Sequence, residues 1–319
     1  MMNNSRIFKL AIAGMSLLVG TVATARGQVF VSNNANGTVG EFDANTGTPI
    51  NASLVPGSGA TAVFLAVSDS NLYIYNPSAG TISEYTTSGA LVNPALVSGL
   101  TSSEFGGIAL SGGNLFVTNW ETGKIGKYNA ITGATVNASL VTLPPYLGSL
   151  SVGPLGIAIS GPNLFEVNNR IGTIGKYNAS TGATVNASLV SGLHYPNGIA
   201  ISDSNLFVRT GASLPFTIAE YTTSGALVNA NLVSGLGNPT GLTVDGSHLF
   251  VAQQDLGTIS EYDAVTGAVV NPTFITGLIN PESLVILTPE PASLTLLALG
   301  GGAMLMRRRR FVGQRCLEL

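Results

Sequence analysis

A segment of about 43 residues recurs six times along this 319-residue chain, and that repetition restricts the fold before any other property is considered. One apolar run reads "QVFV" at 28, "NLYI" at 71, "NLFV" at 114, "NLFE" at 163, "NLFV" at 205 and "HLFV" at 248, at steps of 43, 43, 49, 42 and 43 residues. A second run ends on an aromatic side chain: Phe42, Tyr85, Tyr128, Tyr177, Tyr221 or Tyr262. A glycine turn (Gly47, Gly89, Gly133, Gly182, Gly225, Gly267) leads into a third, "NASLV"-like run. The fourth run is "GIAIS"-like, and its last copy is "SLVIL" at 283.

Each unit therefore offers four short β-type runs separated by Gly, Asn, Asp, Ser or Pro turns. Only 9% of the residues are charged and forty are glycine, a mixture that disfavours helices. Four strands per unit at this period predict an all-β, six-bladed β-propeller over residues 26–287. Taking "GIAIS" as the innermost strand a, the other runs become b, c and d. The first unit then begins at strand b, and Ser283–Leu287 supplies its missing strand a. Joining the chain ends in one blade would close the ring and remove an open sheet edge.

At this level the repeats resemble a known family. "YPNGIAISDSNLFVRT" (Tyr195–Thr210) and "PTGLTVDGSHLFVAQQDLGTISEYD" (Pro239–Asp263) are similar to NHL-type propeller repeats. The basic residues of RNA-binding members are missing. Between Arg26 and Pro291 there are six basic and fifteen acidic residues, a net charge of −9 that repels phosphate backbones and argues against a nucleic-acid partner.

Both ends of the chain carry targeting signals. Arg6 and Lys9, the 13-residue apolar run Leu10–Val22 and the small residues Ala23 to Ala25 predict a signal peptide over 1–25, cut by signal peptidase. The other reading is an N-terminal membrane anchor, for which the run is short. At the C-terminus, fifteen uncharged residues (292–306) precede Arg307, Arg308, Arg309 and Arg310. As a helix they span about 22 Å at ~1.5 Å per residue, short of the ~30 Å hydrocarbon core, so a span is feasible but marginal. The arginines place the preceding domain outside the cytoplasm.

Pro289-Glu290-Pro291, the short apolar helix and the arginine cluster together resemble the PEP-CTERM sorting tail of Gram-negative bacteria that make exopolysaccharide. That resemblance implies that the tail, 288–319, holds the protein transiently in the inner membrane. It implies cutting by an exosortase near Pro289, Glu290 and Pro291, and release to the cell surface or extracellular matrix. A permanent single-span anchor is the alternative. The only cysteine, Cys316, follows the arginines, so no internal disulfide stabilises the exported domain.

Chemistry is sparse. No cofactor motif is present, and no Ser–His–acid arrangement can be argued. His248 occupies the slot of Asn71, Asn114, Asn163 and Asn205 and reads as a turn substitution, whereas His194 lies in a d–a connection beside the channel and is a candidate ligand contact. The slots equivalent to Asn197 hold Val63, Gly106, Leu155, Thr240 and Glu282. With Asn238, Glu282 and Asn197 would make a weak oxygen-rich site for a hard cation. Metal-dependent lactonase-type propellers place Glu, Asn and Asp around the channel mouth, which makes a secreted hydrolase the enzymatic alternative. The long third interval places six extra residues in "LPPYLGSLSVG" (Leu143–Gly153), whose Tyr146 is a second candidate contact. The "NAS" triplets at Asn51, Asn137, Asn178 and Asn186 recur because the repeat recurs. The favoured reading is a non-enzymatic interaction platform without metal or cofactor, directed at exopolysaccharide or envelope proteins.

Overall fold

The computed structural model describes residues 27–288, except 58–63, 77–78, 101–105, 145–152 and 212–213. The predicted signal residues Ala23 and Ala25, the sorting residues Pro289 to Pro291 and Arg307 to Arg310, and Tyr146 lie outside the described residues. Among the described residues no helix is long and apolar enough to cross a membrane.

Twenty-four strands form six four-stranded antiparallel sheets. Blade four shows the plan, with strand a at Pro154–Ser160, b at Asn163–Asn168, c at Thr173–Asn178 and d at Thr184–Val190. The innermost strands neighbour one another in sequence order around the channel, and that of blade one also meets that of blade two. The molecule is a six-bladed β-propeller.

Closure follows the expected register. The sheet of blade one joins Pro281–Leu287 to Gln28–Asn33, Thr38–Asp43 and Pro49–Val55 in that order, with Gln28 opposite Leu287 and Phe30 opposite Val285. The joining strand starts two residues before the sequence-predicted Ser283. Asn34 N donates to Asn280 O, and Ser283 N donates to Ser32 Oγ.

Packing between blades explains the repeated residue types. Along strand b, alternation sends Leu164 towards blade three and Phe165 towards blade five, and both are fully buried. Each such side chain contributes roughly 1.5–3 kcal/mol by leaving water. The aromatic that ends strand c is core, as its spacing predicts. Tyr128 lies over Gly126, where an added Cβ would sit 2.7 Å from the phenol oxygen. The "GIA" glycines let neighbouring inner strands approach around the channel. A Cβ on Gly107 would fall 2.4 Å from Leu155 O, and one on Gly156 would fall 2.4 Å from Asn197 O.

The blades have two distinct ends. The a–b and c–d turns share one end, termed here the turn end. The b–c turns and d–a connections share the other, which carries the channel mouth. At the turn end, Asp43, Asn129, Asn178 and Asp263 each accept from two backbone amides and a threonine hydroxyl, and so fix the c–d turn. Each outermost strand is kinked at an asparagine, Asn51, Asn93, Asn137, Asn186, Asn229 or Asn271, which accepts from the amide two residues on. Register shifts at these positions bend the exposed edge, which discourages pairing with another chain.

Candidate functional site

Where the six copies differ, buried polar groups appear. In four blades a glutamate precedes the strand-c aromatic and faces the first residue of strand b. Gln28 donates to Glu41 at 2.6 Å, and Asn71 to Glu84 and Asn205 to Glu220 at 2.8 Å each. Burial pushes Glu41, Glu84 and Glu220 above the usual carboxylate range. In blade six His248 fills the donor slot, its Nδ1 2.7 Å from Glu261 Oε1. His248 therefore replaces an amide donor at the start of strand b, which gives the turn substitution a physical reason. Blades three and four carry Lys127 and Lys176 instead, whose ammonium groups reach Ala179 O and Thr223 O of the next blade.

Glu166 is a second departure. It occupies the slot held elsewhere by Val31, Ile74, Val117, Val208 and Val251, is fully buried, and has one carboxyl oxygen without a partner. Burial pushes it up to about 8. Its cross-strand neighbours are Ile157 and Gly175, and the Tyr177 ring folds over Gly175 beside it.

The channel mouth gathers three of the sequence-predicted residues. Asn197, Thr240 and Glu282 come from consecutive blades, and Asn197 and Glu282 line a cavity of about 240 Å³ that extends down the channel to Ile201, Val244 and Val285. Gln254, in a b–c turn, links the others: its amide donates to Glu282 Oε2 at 3.0 Å and its oxygen accepts from Asn238 Nδ2 at 2.8 Å. Burial pushes Glu282 up to about 7, against the opposing pull of the Arg209 guanidinium. Arg209 is itself buried, lowered by desolvation and held up by the charge of Glu282. Its guanidinium lies 4.0 Å from the Phe216 ring centroid, and Nη1 donates to Tyr195 O at 3.1 Å.

His194 and Tyr195 stand exposed on the same d–a connection, Tyr195 with a φ of 43°. The His194 carbonyl accepts from Gly211 N and Thr210 Oγ1, which ties this loop to the next turn. At the neighbouring rim the Arg170 guanidinium stacks over Trp120 at 5.3 Å. Arg209, Gln254 and Tyr195 escape the sequence reading because the slot of Arg209 holds Ser32, Tyr75, Thr118, Val167 and Ala252 elsewhere, with no shared chemistry. The scarcity of basic residues was the one available signal.

The donor set bears on metal binding. Glu282 is the sole carboxylate lining the described cavity, and an arginine compensates it. A hard dication prefers six or more oxygen ligands, several of them charged. Among the described residues no group of three His, Cys, Asp or Glu gathers around a point.

No family model matches the chain, and no curated protein matches it. Solved structures do. A nidogen–laminin complex aligns with a TM-score of 0.65 at 15% identity, over 81% of this chain and 97% of the matched one. A protein of unknown function from Desulfotomaculum acetoxidans DSM 771 aligns with a TM-score of 0.56 at 17% identity, over 83% and 100%. A streptogramin B lyase aligns with a TM-score of 0.53 at 19% identity, over 70% and 72%. At such identities these likenesses bear on the fold alone: the chain is a six-bladed β-propeller.

Proposed function

We propose that this propeller is a non-enzymatic binding platform, exported by its signal peptide and released by exosortase to the cell surface or matrix. There it meets exopolysaccharide or other envelope proteins through the mouth end. The observation that carries this reading is the convergence of Asn197, Asn238 and Glu282, with Gln254 and exposed Tyr195, at one end of a closed channel. Asn238, Gln254 and Glu282 are positioned by one another, as recognition requires, and none of these groups forms a nucleophile–base pair. The similar structure from a nidogen–laminin complex is a precedent for this fold within a protein–protein complex. The expected tail and acidic surface favour an extracellular setting.

Retention of the full chain on exopolysaccharide from the producing organism tests the platform. Replacing Tyr146 and His194 together by alanine is expected to weaken retention at unchanged Tm, and unchanged retention removes those contacts. Mass spectrometry of the surface form tests the processing: a species still carrying Arg307 to Arg310 outside the membrane fraction defeats it. The alternative, a metal-dependent hydrolase, is favoured by the same convergence and opposed by Arg209. Calorimetric titration with Ca²⁺, Mn²⁺ and Zn²⁺ separates the two. Tight 1:1 binding lost in Glu282→Ala overturns the platform reading.

A further inference from the structure

Among the described residues, the wall of the channel mouth is polar on one side and glycine and aliphatic on the other. Asn197, Thr240 and Glu282 follow one another around the ring, while the facing side is glycine backbone and aliphatic surface from Gly106, Gly107, Gly156 and Ile157. The Thr240 hydroxyl is committed to Pro281 O, and one Glu282 oxygen accepts from Gln254. Among the described residues, the other Glu282 oxygen and the Asn197 carboxamide make no hydrogen bond. Two uncommitted groups thus flank the polar arc.

We propose that this mouth binds a single neutral hydroxylated ring, the terminal residue of a glycan, with Glu282 and Asn197 each holding a hydroxyl. A hydroxyl both donates and accepts, so it matches a carboxyl and a carboxamide together. The C–H face of such a ring suits the glycine and aliphatic wall, and exposed Tyr195 stands at the rim of the same loop. Among the described residues charge favours a neutral ligand: a dication would meet Arg209 behind a single carboxyl group, and an anion would meet Glu282. Size favours one ring, because about 240 Å³ falls below the ~300–1,000 Å³ of pockets for larger ligands. Burial pushes Glu282 up to about 7, and either form of its carboxyl can bond a hydroxyl.

This inference rests on the platform reading and narrows it to one ligand class. Saturation-transfer NMR on the full chain tests it, with methyl α-glucopyranoside, methyl β-galactopyranoside and methyl α-mannopyranoside as probes and sodium glucuronate and CaCl₂ as comparators. Transfer to at least one neutral glycoside is expected. Glu282→Ala and Asn197→Ala should each weaken it about tenfold, the loss of one strong hydrogen bond. Glu282→Gln should retain binding, because the amide keeps the hydrogen bonds without the charge. Absence of transfer to all three glycosides overturns the proposal. So does transfer that both alanine variants leave intact, or binding of glucuronate or Ca²⁺ in their place. Polysaccharide retention, measured in parallel, separates the two ideas. Retention without glycoside binding removes this site and leaves the platform, whereas loss of both removes both.

Discussion

The two ends of the propeller differ in how far they follow the repeat. The turn end is one motif repeated: an Asp, Asn or Thr fixes each c–d turn, and each following glycine seats against the outer strand of the preceding blade. Asp43, Asp69, Asp203, Asp245 and Asp263 all lie there. The mouth end shares one repeated contact, the amide of Leu100, Leu143, Leu193 or Leu278 donating to the carbonyl of the b–c glycine. It departs from the repeat elsewhere, with Trp120 stacked on Arg170, the Tyr195 loop on Arg209, and Gln254 bridging Asn238 to Glu282. Repetition marks what holds the ring together. Its breakdown around the channel mouth marks where a ligand can be told apart.

Both ends depend on ring closure, so the largest effect comes from breaking it. Deleting residues 281–287 removes the inner strand of blade one and exposes Gln28–Asn33 as an unpaired edge. Thermal unfolding should lose its cooperative transition or shift down by tens of degrees. An unchanged Tm would show that closure does not run through this strand.

Glycine substitutions set the ends against each other directly. Gly182 at the turn end has a φ of 74° and Gly192 at the mouth end one of 78°, so alanine meets the same backbone penalty of roughly 1–2 kcal/mol at either. The space differs. A Cβ on Gly182 would lie 1.8 Å from Leu140 O, whereas one on Gly192 would meet nothing within 4 Å. Gly182→Ala should therefore cost more than ~4 kcal/mol and lower the Tm by about 10 °C or more. Gly192→Ala should lower it by only a few degrees. Equal shifts would show that the space around the added methyl does not set its cost.

The division also explains what was legible in the sequence. The blade number, the strand order and the closing strand follow from period and register, because every copy repeats the same packing residues. Asn197, Asn238 and Glu282 were found by aligning slots around the channel. Gln254 and Arg209 were not, since their partners come from other blades and their slots carry no shared residue type. Glu166 was visible as "NLFE" among "NLFV" runs, but its cost depends on burial, which a repeat alignment does not give.

Glu166 breaks the repeat inside the core, and its effect is expected to be intermediate. Its carboxyl titrates near 4.5 when unfolded and at about 8 when folded. Between those values the folded state holds a proton that the unfolded chain has lost, so stability falls as pH rises from about 4.5 to 8 and levels off above. Tyr177 faces it from the same blade and Lys127 lies along the seam from blade three, and neither is ion-paired with it among the described residues. Glu166→Val, which restores the residue of the other blades, should stabilise the protein by a few kcal/mol at pH 8 and by little at pH 5. A residual slope from Glu41, Glu84, Glu220 and Glu282, all raised by burial, has the same sign. A variant that tracks the parent at every pH would show that water or structural relaxation already satisfies Glu166.

The smallest effect compares one asparagine from each end. Asn178 accepts from Ser180 N, Thr181 N and Thr181 Oγ1 in an exposed turn, and Asn178→Ala should cost about 1 kcal/mol, lowering the Tm by roughly 2–4 °C. Asn197 contributes no side-chain hydrogen bond within the described residues, so Asn197→Ala should leave the Tm within about 1 °C of the parent. Its consequence should surface only when ligand is added: a glycan that raises the Tm of the parent should raise that of Asn178→Ala equally and that of Asn197→Ala less. Reversal of this pattern, with Asn197→Ala destabilised and its ligand response intact, would make the mouth end structural and move the search for a binding surface to the turn end.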